Sequence, residues 1–195
     1  YPKVNISLHQ GAPDQVAQML LQDVAEIGIA TESLSAYEDL VTLPCYEWQH
    51  VLVLPPDHPL AAKPRLTLED IAEHPLITYH PSFTGRTRID NAFAARKLHP
   101  RIALEAIDSD VIKTYVRLGL GVGIVAEMAV KDDPVQDLIV RPLGPLLGVN
   151  VARVAFKRGA YLRHFIYQFA ELLSDRLTAN LVAKAMSGHV NDYEL

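Results

Sequence analysis

The chain has 195 residues, 49% of them apolar, and a formal net charge of -5. That apolar fraction excludes a disordered chain and suffices for one large domain or two small lobes with cores of their own. The acidic balance excludes a surface built to track a phosphate backbone, because such affinity comes from clustered Lys and Arg.

From the start, VNISL (4–8) alternates like a strand, and Val16, Leu20 and Val24 give one apolar face of a helix beginning near Pro13. EIGIATE is a strand ending at Thr31, DLVTLP and HVLVLP are extended runs around PCYEWQ, and PPDHPLAAKP is a proline-rich turn. Thr67, Glu69 and Asp70 cap a short helix, and PLITY is the next strand. Ile89 and Phe93 mark a helix face, RIALEAI is a strand, and Asp108, Ser109 and Asp110 offer caps to the helix VIKTYVRLGL. GVGIV is a buried strand, and LIVRPL and VNVARVAF are extended. Leu162, Phe165, Ile166, Phe169, Leu172 and Leu173 line one stripe of a last helix, which must dock on a sheet. The alternation of strand and helix predicts an α/β fold with parallel sheets.

LPCYEWQ, near 43–49, and RPLGPLLG, near 141–148, read as extended crossings between lobes. They divide the chain into residues 1–46 with 146–195 as lobe I and residues 47–145 as lobe II, two Rossmann-like halves with a ligand cleft between them. Cys45 is the only cysteine, which excludes an internal disulfide, fits a reducing compartment and reads as a small buried apolar side chain. No run approaches the ~18 apolar residues of a membrane span and no signal peptide is recognisable. Tyr1 is not an initiator methionine, and YPKVNISL reads as a strand entered from something earlier, so a piece of a longer protein is expected.

HPSFTGRTRID (80–90) carries the densest chemistry, with Ser82, Thr84 and Thr87 around Gly85. With Thr84 as N-cap, Gly85, Arg86 and Thr87 form a first turn whose free N–H groups suit an anion. Arg86 and Arg88 there oppose the helix macrodipole, at about 0.3–1 kcal/mol each unless a negative partner is near. The plainer reading is a threonine cap with two solvated arginines. Thr31 stands at the carboxyl end of a strand, where open α/β sheets bind ligands, or is a loop threonine capping the next few residues. Gln10 and Gly11, in QGAPD, sit between a strand and a helix, where Gly11 lets a ligand approach the backbone or just makes the turn. Tyr46 and Trp48 share a face of an extended segment, as core or as a cleft wall.

GLGVG (119–123) closes a helix and opens a strand, the reverse of a dinucleotide fingerprint, so Gly119 and Gly121 are C-cap and turn residues and no nicotinamide cofactor is implied. No nucleophile elbow, zincin motif, P-loop or C-x-x-C is present. The eight histidines, among them His58, His74 and His164, are scattered in turns and on exposed faces, with none at metal-ligand spacing. No enzyme, metal or cofactor is expected.

Several stretches together resemble a known family. IATESLSAYEDLVTLPCYEW, PDHPLA, PLITYHPSFTGRTRID and above all DSDVIKTYVRLGLGVGIVAEMAV are similar to the effector-binding domain of LysR-type transcription factors, in the CysB and Cbl subfamily of sulfur metabolism. The resemblance runs from Tyr1 to about Leu177 and is weaker over 131–150. It implies two lobes of the type II periplasmic-binding-protein kind, no catalysis, and a small anionic effector in the cleft: sulfate, O-acetylserine or N-acetylserine. It places Thr31 and Thr84 on the anion site and Tyr46 and Trp48 among residues affecting inducer response. It also implies a cytoplasmic regulator of cysteine biosynthesis, a homodimer or homotetramer touching DNA only through a helix-turn-helix upstream, with no membrane. The family's first anion-binding segment is expected before Tyr1, and His80, Pro81 and Ser82 stand where the family tends to have small or aromatic residues. The alternatives are a periplasmic solute-binding protein for a small anion and an α/β hydrolase. The second needs a base beside Thr31 or Thr84 that the sequence does not offer.

Overall fold

The computed structural model describes residues 1–131 and 137–188. Residues 132–136 and 189–195, which fall in the expected lobes II and I, lie outside them. In chain order the elements are α1 (Pro13–Leu21), β1 (Gly28–Thr31), β2 (Leu40–Leu54), α2 (Leu68–Ala72), β3 (Leu76–Tyr79), α3 (Thr84–Ala95), β4 (Ile102–Ala106), α4 (Ser109–Arg117), β5 (Val122–Ala126), α5 (Met128–Lys131), β6 (Ile139–Pro142), α6 (Gly144–Leu147), β7 (Val149–Lys157), α7 (His164–Leu173) and α8 (Ala179–Ser187). They form two compact units. Unit one runs from Tyr1 to Glu47 and resumes at Val151, and unit two is Trp48–Asn150.

In unit one the strand order is β1, β7, β2, with β1 antiparallel to β7 in the register Gly28↔Ala155 to Thr31↔Ala152. Alternation along β7 sends Ala155 to one face, with Ala17, Leu20, Leu34 and Leu40, and Val154 and Phe156 to the other, with Leu162, Ile166, Ala170 and Val182. The final helix pair therefore docks on a sheet, as its stripe requires. Leu172 is not in that stripe: it is 85% exposed, two residues past Ala170 and so on the opposite side of α7.

Unit two has the order β6, β2, β5, β3, β4. β3 is parallel to β4 and β5, whereas β2 is antiparallel to β5 and β6. The sheet of unit two is thus mixed, and β1–β7 of unit one is antiparallel, where the alternation alone predicts parallel sheets, because these pairs bring distant, oppositely directed segments together. Leu52, Leu54 and Ile124 face Ile89 and Phe93 of α3 and Leu68 and Ile71 of α2. Val51, Val53 and Ile77 face Ile112 and Val116 of α4. A strand buried on both faces gives a continuous apolar run, which is what HVLVL shows.

Several local expectations are corrected. VNISL lies in no strand; Ile6 and Leu8 are 72% and 89% exposed, and an alternating run becomes a strand only beside a neighbour that takes its N–H and C=O groups. Val24 leaves the α1 face because Asp23 turns left-handed (φ 59), and the amides of Asp23 and Val24 close on the carbonyls of Leu20 and Met19. PCYEWQ is extended, as the sequence implies, and it joins the two flanking runs into the single fifteen-residue β2. RPLGPLLG is not extended throughout, since α6 occupies its second half. Gly119 does come after α4 with a left-handed φ of 76, and Gly121 is required because a Cβ there would sit 2.2 Å from the Pro75 carbonyl oxygen.

Phe93, 1% exposed, anchors the C-terminal half of α3. Phe93→Ala is expected to cost about 3–5 kcal/mol, read from the urea unfolding midpoint, with no change in residual secondary structure at low urea.

Candidate functional site

The site is built from the end of β3 upward. After Tyr79 the chain makes one turn, in which the Phe83 amide donates to the His80 carbonyl (3.1 Å) and the Ser82 hydroxyl lies 2.9 Å from His80 Nδ1. Phe83 is extended (φ -95, ψ 133), and its carbonyl already accepts from the amides of Arg86 (3.0 Å) and Thr87 (3.4 Å). The helix therefore starts one residue earlier than expected, with Phe83 in the capping position and Thr84 as its first residue. Helix geometry leaves the amides of Thr84 and Gly85 without an intrahelical acceptor.

Arg86 fits neither sequence reading, as a solvated arginine or as one awaiting an external anion. It is buried; its Nε donates to Asp90 Oδ1, and its Nη1 to Glu105 Oε1 and the Tyr79 carbonyl, each at 2.7 Å. Burial pulls its pKa down, but the bonds to Asp90 and Glu105 outweigh this and hold it above the ordinary arginine value. The chain's own carboxylates thus neutralise the charge that opposes the helix dipole. Arg88 lies against Gly148: a Cβ there would sit 3.2 Å from its Nη1.

Gly85, Ile89 and Phe93 recur at i, i+4 and i+8, so the α3 face that packs on β2 begins with a glycine. Opposite it stand Trp48 and His50, on the same face of β2 as Leu52 and Leu54. A Cβ at Gly85 would lie 3.1 Å from His50 Nε2 and 3.4 Å from the Trp48 ring. Trp48 meets His50 edge-on, at 4.9 Å between centroids. His50 is fully buried; its Nδ1 is 3.4 Å from Asn150 Nδ2, while Nε2 has no hydrogen-bond partner, and neither has Asn150 Oδ1. Desolvation, helped by the nearby Arg88 charge, lowers the His50 pKa to about 4, so the ring is neutral at pH 7. Sequence reasoning placed the histidines in turns and on exposed faces; His50 is a core histidine. The one signal available was a polar residue at the head of an apolar strand.

The other expected residues lie in unit one. Thr31 closes β1, half-buried, with its hydroxyl 3.4 Å from that of Ser33. Gln10 is exposed and Gly11 leads into α1, where Gln15 Oε1 accepts from the Ala12 amide (2.9 Å). A Cβ on Gly11 would lie 2.9 Å from that same oxygen, so the glycine serves the helix start. Tyr46 is 37% exposed and lines a cavity of about 400 Å³ with Cys45, Glu47, Ser174 and Arg176. Cys45 is buried, and desolvation raises its pKa, which keeps it a thiol. Among the expected residues the structure thus brings Trp48 and Gly85 together in unit two. Among the described residues no group of three metal-ligating side chains occurs, and no helix is long and apolar enough to cross a membrane.

Residues 1–178 match the LysR substrate-binding domain. The chain belongs to this family. It is 52% identical over all 195 residues to the HTH-type transcriptional regulator CysB of Burkholderia cenocepacia, covering 62% of that protein. It is 45% identical over 178 residues to the HTH-type transcriptional regulator Cbl of Escherichia coli, covering 91% of this chain and 56% of that one. The crystal structure of the cofactor-binding domain of the Cbl transcriptional regulator superimposes with a TM-score of 0.88 at 43% identity, over 96% of this chain and 83% of the other. The chain spans about three fifths of the length of the curated relatives it matches. Its α/β fold is that of LysR effector-binding domains, which are periplasmic-binding-protein-like.

This LysR substrate-binding domain carries a pH signature in His50. An unfolded chain protonates this histidine near pH 6.5, whereas the folded chain refuses the proton until about pH 4. The unfolded state therefore binds more protons between those values, and stability falls as pH drops through that window. The loss should reach about 3 kcal/mol by pH 4 relative to His50→Gln, measured by urea unfolding of both proteins from pH 7 downward.

Proposed function

We propose that this chain is the effector-sensing part of a LysR-type transcription factor controlling sulfur assimilation and cysteine biosynthesis, and that its effector is a small anion, sulfate or an acetylated serine. The observation that carries the reading is the entrance of α3. Two amides there lack an intrahelical acceptor at the positive end of the helix dipole, and the neighbouring Arg86 is neutralised within the chain. The 52% identity to a protein named CysB supports the assignment to sulfur regulation. The effector contacts of this reading are Thr84, Gly85, Ser82 and Trp48 on unit two, and Thr31, Gln10, Gly11 and Tyr46 on unit one. The anion acts only through a difference in its affinity for two arrangements of the subunits, and so of DNA-binding domains upstream. In this reading the protein works in the cytoplasm as a homodimer or homotetramer, meets DNA only through that upstream part, and carries out no catalysis.

Calorimetry of the full-length protein with sulfate, O-acetylserine and N-acetylserine, repeated on Thr84→Ala, tests this. Removing a hydrogen bond to a charged ligand costs about 1.5–3 kcal/mol, so affinity for the true effector should fall roughly ten- to a hundredfold. A change under about twofold for every ligand removes Thr84 from the contacts, on the same scale.

A further inference from the structure

We infer that His50 is a specificity-determining residue whose Nε2–H donates a hydrogen bond to an oxygen of the bound oxyanion, beside the amides at the start of α3. This rests on the reading that the anion binds at that helix start. Three observations fix the donor. Asn150 Nδ2 faces His50 Nδ1 (3.4 Å), and with the amide so oriented Nδ1 accepts and the neutral ring carries its proton on Nε2. That nitrogen is buried without a partner, an arrangement rare enough in folded proteins to call for one. It faces Gly85, in the first turn of α3, where a Cβ would stand only 3.1 Å away and crowd the ring. With Trp48 edge-on to the ring and Asn150 on the opposite nitrogen, the imidazole faces Gly85 from a fixed setting.

An oxyanion held by the first-turn amides then completes the hydrogen bonding of His50, and a ligand that presents no oxygen at that point leaves the buried donor unpaired. The chemical class is a tetrahedral sulfur oxyanion or a carboxylate, and the two sources are told apart by the probes. Sulfate and N-acetyl-L-serine are titrated separately into full-length wild type, His50→Gln, His50→Asn and Thr84→Ala, with the melting temperature of each recorded. Gln places an amide N–H at the reach of Nε2, whereas Asn places one only at the reach of Nδ1. His50→Gln should keep affinity within about threefold, and His50→Asn should lose roughly ten- to a hundredfold for the probe that wild type binds. Equal losses in both variants would mean a packing role and overturn the inference. So would wild-type affinity in His50→Asn while Thr84→Ala binds weakly, a result that leaves the proposed site standing. Wild type binding neither probe overturns the inference, and if O-acetylserine does not bind either, the effector reading falls with it. Should His50→Asn fail to fold, the Nε2 nitrogen resonance of wild-type His50 decides: it must shift as sulfate or N-acetyl-L-serine saturates the protein, and an unmoved resonance sinks the donor role.

Discussion

Unit two depends on one contact, the packing of α3 against a single face of β2. Leu52 and Leu54 must meet Ile89 and Phe93, since burying each such side chain is worth about 1.5–3 kcal/mol. Strand period then decides everything further along. With Leu52 and Leu54 committed to α3, Trp48 and His50 cannot face elsewhere, and helix period places Gly85 opposite them. The polar end of the interface is thus positioned by its apolar end. No interaction specific to the polar groups is needed to bring an imidazole beneath the first turn of a helix.

Charge balance at that turn obeys a similar economy. A buried guanidinium near a helix N-terminus is unfavourable unless its donors are paired and its charge is compensated. Asp90 reaches Arg86 from one turn along the same helix and Glu105 from the neighbouring β4, while the Tyr79 carbonyl takes another donor. Arg86 thereby ties α3 to both β3 and β4. Its role is to orient the helix start, and the amides of that start keep their own dipole.

Much of the fold was legible because it rests on periodicity and cap chemistry. The capping box of Thr67 and Asp70, the Asp108 cap of α4, the glycine after α4 and the apolar run of β2 all carry their signal within a few residues. Strand direction was not legible, since parallel and antiparallel pairing are choices between distant segments. The VNISL strand misled for a related reason: alternation describes a face, and says nothing of whether a neighbour stands beside it. At the candidate site the sequence singled out the hydroxyls and the glycine from local chemistry. It missed His50 and misread Arg86, because burial and pairing come from residues up to 100 positions away, as Asn150 is from His50.

That division bears on how such a site discriminates. Arg86 is already saturated by carboxylates of its own chain, and the overall charge is negative, so neither supplies a general attraction for anions. At the start of α3 stand neutral groups, backbone amides and a histidine kept uncharged by its burial, with the Arg88 guanidinium nearby. Neutral donors attract weakly at a distance and act strongly only on contact, where each must find an acceptor. A wrong ligand is then rejected less by lost attraction than by the cost of every buried N–H it fails to satisfy, and that cost depends on where the ligand's oxygens stand rather than on how much charge it carries.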